Sequence, residues 1–255
     1  MTHIHAILLG IIEGITEFLP ISSTGHLILA GHLLGIPDTD FLKTFEIVIQ
    51  MGAICAVVLL YWRTLFSIPV IIRLICGFIP TAVIGFTLYP FVKGYLLGNM
   101  TVVVASLFVG GIILIAFELL HKETPLVEQK ITDITYKQAF LVGLFQTIAL
   151  IPGVSRSGAT IVGGLILGLK RVTIVEFSFL LAVPTMAAAT AYDILKNYSL
   201  FTTEALPALG LGFLTSFLVA LVVITSLLKF IKKHTFIPFG VYRILVALLF
   251  FFFVL

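Results

Sequence analysis

Two short polar stretches contain most of the residues in this chain that could carry out chemistry. The first, residues 13–26, supplies carboxylates, hydroxyls and an imidazole: Glu13, Glu17, Ser22, Ser23, Thr24 and His26. The second, residues 152–160, supplies hydroxyls and one guanidinium: Ser155, Arg156, Ser157 and Thr160. Acids, hydroxyls and a permanent positive charge are together the groups that phosphate chemistry requires. The two stretches therefore predict action on a phosphorylated substrate.

The two carboxylates of the first stretch predict a metal site. Glu13 and Glu17 are four residues apart, so on a helix they share one face, one turn apart. Carboxylates that close repel each other unless a cation lies between them or one carries a proton. A hard divalent cation such as Mg²⁺ or Ca²⁺ prefers oxygen ligands and fits this pair.

The hydroxyls that follow are candidate nucleophiles. Ser22, Ser23 and Thr24 lie next to His26, and a hydroxyl becomes a nucleophile when a base is within hydrogen-bonding reach. His26 could serve as that base, or its imidazole could attack phosphorus itself. The spacing does not separate these two roles.

The second stretch predicts an anion clamp. Residues 153–158 begin and end with glycine and lead into an apolar run, and free N–H groups at a helix N-terminus bind anions. Arg156 adds a planar fork of donors suited to phosphate oxygens.

Three residues outside the stretches are lesser candidates, each equally suited to a structural polar bridge: Glu46, Gln50 and Arg243.

The composition places these stretches in an integral membrane protein. Of 255 residues, 60% are hydrophobic and 11% are charged, whereas a soluble domain has about 25% charged residues. Apolar runs predict six spans, at 41–62, 74–92, 101–120, 174–195, 205–228 and 237–255. No basic stripe is present, so we expect the partner to be the lipid bilayer and not nucleic acid.

Both polar stretches interrupt apolar segments, 6–35 and 138–168, with proline, glycine and serine. Such backbone is tolerated at membrane depth only where protein or a cavity surrounds it. We therefore expect two re-entrant helical hairpins whose tips enter the bilayer. The predicted fold is an all-α polytopic membrane protein with six transmembrane helices and two re-entrant hairpins.

The two hairpin segments resemble each other. Residues 6–10 match 139–143, Pro20 matches Pro152, and three glycines recur at one offset after a single-residue insertion: Gly25, Gly31 and Gly35 against Gly158, Gly164 and Gly168. This predicts one membrane domain built from two repeats, 1–120 and 121–255, each a hairpin followed by three spans. Because three is odd, the second repeat must be inverted.

Loop charges support that arrangement. One face collects ten basic residues: Arg63, Arg73, Lys122, Lys130, Lys137, Lys170, Arg171, Lys229, Lys232 and Lys233. The opposite face collects three: Lys43, Lys93 and Lys196. Basic loops favour the cytoplasm, so we expect the first hairpin to enter from outside, the second from inside, and their tips to meet.

At these residues the chain resembles the undecaprenyl-diphosphate phosphatase family of bacterial inner membranes, also called bacitracin-resistance proteins. Residues 13–26 and 152–160 look like its two signature motifs, and residues 43–46, 176–184 and 236–243 also fit. The resemblance implies an enzyme that removes the terminal phosphate from a C55 polyprenyl diphosphate lipid. The product would be the carrier lipid reused for peptidoglycan and other envelope polymers.

The resemblance also implies roles for the residues already named. Glu13 and Glu17 would hold the metal and transfer protons, Ser23 or His26 would be the nucleophile, and Arg156 would bind the diphosphate. The phosphate site would be lined by five hydroxyls: Ser22, Thr24, Ser155, Ser157 and Thr160. The active site is expected to open toward the periplasm.

A polyprenyl-phosphate flippase or transporter is the main alternative, because inverted repeats with broken hairpins are typical of transporters. A transporter would need the hairpins and Arg156, but not paired carboxylates together with serine and histidine. The chemical groups therefore favour the phosphatase. The sequence leaves open the preferred metal, the tail length and whether the protein forms a homodimer.

Overall fold

The computed structural model describes residues 1–96, 99–121, 129–196 and 202–253, and in these ranges the regular structure is entirely helical. The ten α-helices are α1 His3–Thr16, α2 Ser23–Leu33, α3 Asp40–Leu65, α4 Ile68–Phe91, α5 Met100–Leu120, α6 Tyr136–Gln146, α7 Arg156–Ile166, α8 Arg171–Lys196, α9 Leu206–Ile231 and α10 Ile237–Phe253. Short turns of 3₁₀-helix, Ile131–Asp133 and Thr147–Leu150, flank α6, and a π-helical turn, Val92–Leu96, follows α4.

Five helices in the described ranges are long and apolar enough to cross a membrane: α3, α4, α5, α8 and α9. This confirms a polytopic all-α membrane protein. The sixth predicted span, 237–255, corresponds to α10, which has 17 residues. Residues 254–255 of that span, and Lys122 of the loop-charge count, lie outside the described residues. The full set of six spans stays a prediction.

Both polar stretches form a loop between two short helices. Each loop contains a proline, Pro20 or Pro152, which lacks an N–H donor and so does not continue a helix. The second loop also contains Gly153, whose φ of +87° is tolerated by glycine. On the far side of each loop a serine caps the next helix. Ser22 accepts a hydrogen bond from the Gly25 N–H, and Ser155 accepts one from the Gly158 N–H. The loops are therefore firmly attached to α2 and α7.

The helices of the two halves pack in the same pattern. The order α1–α5 matches α6–α10, with α3 and α8 both 26 residues long. Helix α1 packs on α9, just as α6 packs on α4, and α3 and α5 each pack on their counterparts α8 and α10. Helices of each half therefore pack against helices of the other half. The repeat boundaries and the inverted insertion stay predictions.

Glycine permits the closest of these helix contacts. A Cβ atom on Gly10 of α1 would lie 2.7 Å from the Gly212 carbonyl oxygen of α9. On Gly143 of α6 it would overlap the Gly77 carbonyl oxygen of α4. Helix backbones come this close in membrane proteins only where small residues face each other. These two contacts hold α1 and α6, and hence the loops that follow them.

Candidate active site

The two polar loops meet in the interior of the protein. The Ser157 hydroxyl donates a hydrogen bond to the Leu19 carbonyl at 2.8 Å. The Arg156 Nη2 donates to Glu17 Oε1 at 2.7 Å in a buried ion pair. Phe18 anchors the first loop, because its ring packs edge-on against Phe179 of α8 with centroids 5.1 Å apart. Residues more than 130 positions apart are thereby brought into one site.

A cavity of about 220 Å³ lies where the loops meet. Six of the residues predicted from the sequence line it: Glu17, Ser22, Ser23, Thr24, Ser155 and Arg156. Gln50, a lesser candidate from the sequence, also lines the cavity, and so do three polar side chains that were not predicted: Thr81, Gln146 and Thr185. Hydroxyls, amides, one carboxylate and one guanidinium therefore surround a space within the apolar bundle.

Ser23 and Glu17 form a hydrogen-bonded pair in the cavity wall. Ser23 Oγ donates to Glu17 Oε2 at 2.5 Å, and both residues are buried. A serine bonded to a carboxylate has a base in place to accept its proton when it attacks. The side chain bonded to Ser23 is thus Glu17, and His26 has other partners.

Both ring nitrogens of His26 are occupied by other groups. Nδ1 lies 2.7 Å from the Ser22 carbonyl oxygen, which can only accept, so Nδ1 carries the proton. Nε2 lies 2.9 Å from the Tyr242 hydroxyl, and the two rings stack with centroids 5.5 Å apart. His26 therefore supports the loop carbonyl of Ser22, a residue held at φ +73°, which is uncommon for any residue except glycine.

Arg156 has donors available for an anion. Nη1 donates to the Ser178 carbonyl at 2.9 Å and Nη2 donates to Glu17. Nε is buried and has no hydrogen-bond partner among the described residues. Helices α2 and α7 both begin at the cavity, with Ser23 and Arg156 as their first residues. Two helix N-termini and one guanidinium give this space a positive potential suited to phosphate.

The remaining predicted hydroxyls lie behind the cavity wall. Ser157 and Thr160 are fully buried. Thr160 Oγ1 lies 2.6 Å from Ser178 Oγ and also contacts the Arg156 carbonyl. Ser157 contacts Leu19 of the opposite loop, as described above. These two side chains are therefore placed to hold the loops and Arg156 in position rather than to touch a ligand in the cavity.

Comparison with known proteins agrees with this geometry. The family described as bacitracin resistance protein BacA matches residues 6–249. The chain belongs to this family. An undecaprenyl-diphosphatase of Aquifex aeolicus (strain VF5) is 52% identical over 251 residues, 98% of each chain. One of Persephonella marina (strain DSM 14350 / EX-H1) is 53% identical over 253 residues, 99% of each chain. The resemblance predicted from the two polar stretches is confirmed.

Within this member of the BacA family, Glu13 is the most unusual buried group. It is 0% exposed, and neither carboxylate oxygen accepts a hydrogen bond from a donor among the described residues. The Glu17 carboxyl is close enough to share a hydrogen bond with it when one of the two carries a proton. Its nearest charged neighbours include Glu17 and Glu46. A buried carboxylate of this kind is stable only with a proton or a cation. In the described ranges no group of three or more His, Cys, Asp and Glu side chains is arranged around a common metal position.

Sequence reasoning missed part of the cavity wall. Gln146 Nε2 donates to Thr81 Oγ1 at 2.8 Å and to Thr185 Oγ1 at 3.3 Å. The internal repeat contained a signal for this residue. Gln146 follows Gly143 by three positions, just as Glu13 follows the matching Gly10. The second half of the chain therefore has a neutral amide where the first has a carboxylate.

Proposed function

We propose that this protein hydrolyses undecaprenyl diphosphate to undecaprenyl phosphate and inorganic phosphate. One observation carries the proposal: a single cavity joins the Ser23–Glu17 pair to Arg156 and to two helix N-termini. The names of the relatives support the lipid substrate. Membership of the BacA family supports recycling of the carrier lipid for cell-wall synthesis and resistance to bacitracin.

The proposal predicts phosphate release by the purified protein. With undecaprenyl diphosphate and Mg²⁺ or Ca²⁺, we expect one inorganic phosphate and one undecaprenyl phosphate for each substrate consumed. The two products are measured by a phosphate assay and by mass spectrometry of the lipid. Removal of the cation with EDTA should stop the reaction. Release of diphosphate with free undecaprenol, or no release at all with either cation, would contradict the proposal.

In the first step Ser23 attacks the terminal phosphorus. A bond forms between Ser23 Oγ and phosphorus while the bond from phosphorus to the bridging oxygen breaks. Undecaprenyl phosphate leaves with the electron pair, and the proton of Ser23 passes to Glu17, which already accepts its hydrogen bond. Glu17 then passes the proton to the departing lipid phosphate and is a carboxylate again.

In the second step water replaces the serine oxygen on phosphorus. Glu17 accepts a proton from the attacking water and returns it to Ser23 Oγ as the phosphoserine bond breaks. Inorganic phosphate is released and the starting state is restored. The geometry of His26, whose two nitrogens contact Ser22 and Tyr242, favours Ser23 over His26 as the nucleophile.

Arg156 provides the electrostatic contribution. Its guanidinium pairs with Glu17 in the structure. When Glu17 accepts the proton of Ser23 it becomes neutral, so the attraction of Arg156 shifts from the carboxylate to the phosphate oxygens. Donors that bind charge as it develops stabilise a transition state more than the ground state.

The residues present also fit a divalent cation. Glu13 offers two buried oxygens without a hydrogen-bond donor among the described residues, next to Glu17, and carboxylate oxygens are the ligands that Mg²⁺ and Ca²⁺ prefer. We propose that Glu13 and Glu17 hold the ion. A bound ion would neutralise charge on the phosphate and allow both carboxylates to be ionised before Glu17 accepts the proton of Ser23.

A second cavity offers a path for the lipid tail. It has a volume of about 510 Å³, lies between α5 and α7, and is lined mainly by apolar side chains. It shares Val154 and Ser155 with the first cavity. A lipid whose diphosphate head group lies in the first cavity can therefore extend its tail into the second. We call this second cavity the tail groove.

Substitution at two neighbouring residues of α5 tests the tail groove. Ile113 lines the groove and is 54% exposed, whereas Ile112 is 46% exposed and does not line it. We expect Ile113→Trp to raise KM for undecaprenyl diphosphate about tenfold, equivalent to about 1.4 kcal/mol of lost apolar contact. Ile112→Trp is the matched control and should leave KM unchanged. Equal effects of the two changes would exclude this path.

The membrane arrangement belongs to the same proposal. It consists of six spans and two re-entrant hairpins in a bacterial inner membrane, with the cavity open toward the periplasm. The five long apolar helices of the described ranges and the loop charges support it. A homodimer stays a prediction.

A flippase or transporter is the second candidate. The exchanged packing of α1 on α9 and α6 on α4 favours it, because such repeats underlie alternating access. It would not require the Ser23–Glu17 pair, so lipid transport that survives in Ser23→Ala would reveal it.

A further inference from the structure

Arg243 lies outside both polar stretches and yet contacts both of their loops. It belongs to α10, an otherwise apolar helix, and is only 3% exposed. Nη1 donates to the Pro20 carbonyl of the first loop at 3.2 Å, and Nη2 donates to the Gly153 carbonyl of the second at 3.1 Å. One guanidinium therefore bridges the two halves of the candidate site.

The same guanidinium is also fixed to α5. Nη2 donates to the Ser106 carbonyl at 3.0 Å and Nε donates to the Leu107 carbonyl at 3.3 Å. Four of the five N–H donors of an arginine are thus directed at backbone carbonyls of three segments. In the described part of the chain no carboxylate lies within 4.0 Å of Arg243. The hydrogen bonds of Arg243 therefore go to backbone carbonyls.

The contacts occur at corresponding points of the two loops. Pro20 is three residues before Ser23, and Gly153 is three residues before Arg156. Gly153 also packs on α5, where a Cβ atom would lie 2.6 Å from the Val103 carbonyl oxygen. A shift of either carbonyl would displace the nucleophile or the clamp that follows it.

Gly110 of α5 provides the space for the guanidinium. A Cβ atom at this position would overlap Nη2 of Arg243 and lie 2.7 Å from its Cζ. Its three nearest atoms are all from the Arg243 side chain. An alanine here would therefore push the guanidinium away from its carbonyls while leaving the arginine and its charge present.

We propose that Arg243 is a positioning residue that fixes the two catalytic loops relative to each other during hydrolysis. The proposal rests on the function assigned to the cavity. The Arg156–Glu17 contact changes as the reaction proceeds and cannot hold the loops throughout. The Ser157–Leu19 bond fixes one point only. Arg243 contacts both loops and does not line the cavity proposed for the phosphate, so its contacts can persist through both steps.

Kinetics of three variants test the proposal. Arg243→Lys retains the charge but has a compact ammonium that cannot span four carbonyls. Arg243→Ala removes the donors, and Gly110→Ala displaces them. For all three we expect kcat to fall at least about tenfold with KM changed less than threefold, because a misplacement of about 1 Å can cost roughly 10²-fold in rate.

Two controls separate positioning from general stability. Arg171→Lys alters another buried arginine, which pairs with Glu118 away from the cavity; we expect lower thermal stability with unchanged kcat for the folded protein. In Arg243→Ala, added guanidinium ion can reach the vacated space through the tail groove, which Arg243 lines. We expect it to restore part of kcat, whereas methylammonium should not.

A distance measurement provides a readout that does not depend on turnover. Spin labels are attached to cysteines introduced at Thr24, in the first turn of α2, and at Val154, in the second loop; both positions line the cavity. The free cysteines Cys55 and Cys76 are first changed to alanine. The proposal predicts one narrow distance distribution in the otherwise unchanged protein and a broader one with Arg243→Lys.

The outcomes are distinguishable. The positioning role would be overturned if Arg243→Lys and Gly110→Ala kept the wild-type kcat. It would also be overturned if kcat fell only in proportion to the loss of thermal stability of each variant. An unchanged distance distribution in Arg243→Lys would also overturn it. If the wild-type protein itself releases no phosphate, the proposed function fails, and the distance distributions still decide whether Arg243 fixes the loops.

Discussion

Replacement of Arg156 by alanine is expected to lower phosphate release by about 10³-fold or more. Among the described residues the guanidinium is the one permanent positive charge that lines the cavity, and loss of a charged donor aimed at a reacting phosphate typically costs this much. The measurement is the initial rate of phosphate release from undecaprenyl diphosphate by purified wild-type and variant protein.

Arg156→Lys is needed beside the alanine variant. Removal of Arg156 leaves Glu17 buried without its partner, and breaking a buried ion pair can destabilise a protein by about 3–5 kcal/mol. Lysine retains the charge but lacks the fork, so we expect a folded protein with at least about tenfold less activity. Arg63→Ala, at an exposed position near the end of α3, controls for loss of an arginine. Wild-type turnover in Arg156→Ala would refute the clamp.

Replacement of Ser23 by alanine should abolish measurable turnover. Loss of the nucleophile lowered kcat by about 10⁶-fold in a serine enzyme. Without Ser23 no phosphoserine can form, so water would have to attack the substrate directly. His26→Ala should lose less, about 10²-fold, because His26 contacts the Ser22 carbonyl and Tyr242 rather than Ser23. Initial rates of both variants compare the two candidates directly.

Ser226→Ala is the matched control for the serine change. Ser226 is exposed on α9, where its hydroxyl donates to the Val222 carbonyl, and we expect full activity. If His26→Ala were inactive while Ser23→Ala kept substantial turnover, the nucleophile would be His26, and the role given to the Ser23–Glu17 pair would be wrong.

The long helices were predictable because each is a continuous apolar run. The predicted spans 41–62, 101–120 and 174–195 lie within three residues of the ends of α3, α5 and α8. Helix α4 differs, since it begins at Ile68 and not near 74. Arg73 appeared to end the span, yet its guanidinium donates to the carbonyls of Pro69, Thr132 and Ile134 and is accommodated inside the helix.

The chemical partners inside the site were not predictable from spacing. Ser23 reaches Glu17 only because the loop between α1 and α2 turns back, and no helical period relates positions six apart. His26 meets Tyr242 across 216 positions, and Arg243 meets Pro20 across 223. Such pairs are set by how the two halves pack. The sequence identified the loops and their residue types, and the packing determines which side chains touch.

The most direct test is to locate the covalent intermediate. Protein mixed with undecaprenyl diphosphate is stopped during turnover, one portion with acid and one with alkali, because phosphoserine survives acid whereas phosphohistidine survives alkali. Both portions are digested and examined by mass spectrometry for a phosphorylated peptide. We predict a phosphoserine at Ser23 in the wild-type protein, which disappears once the substrate is exhausted and is absent from Ser23→Ala. A phosphate on His26, or continued turnover with no phosphorylated residue, would contradict catalysis by the Ser23–Glu17 pair.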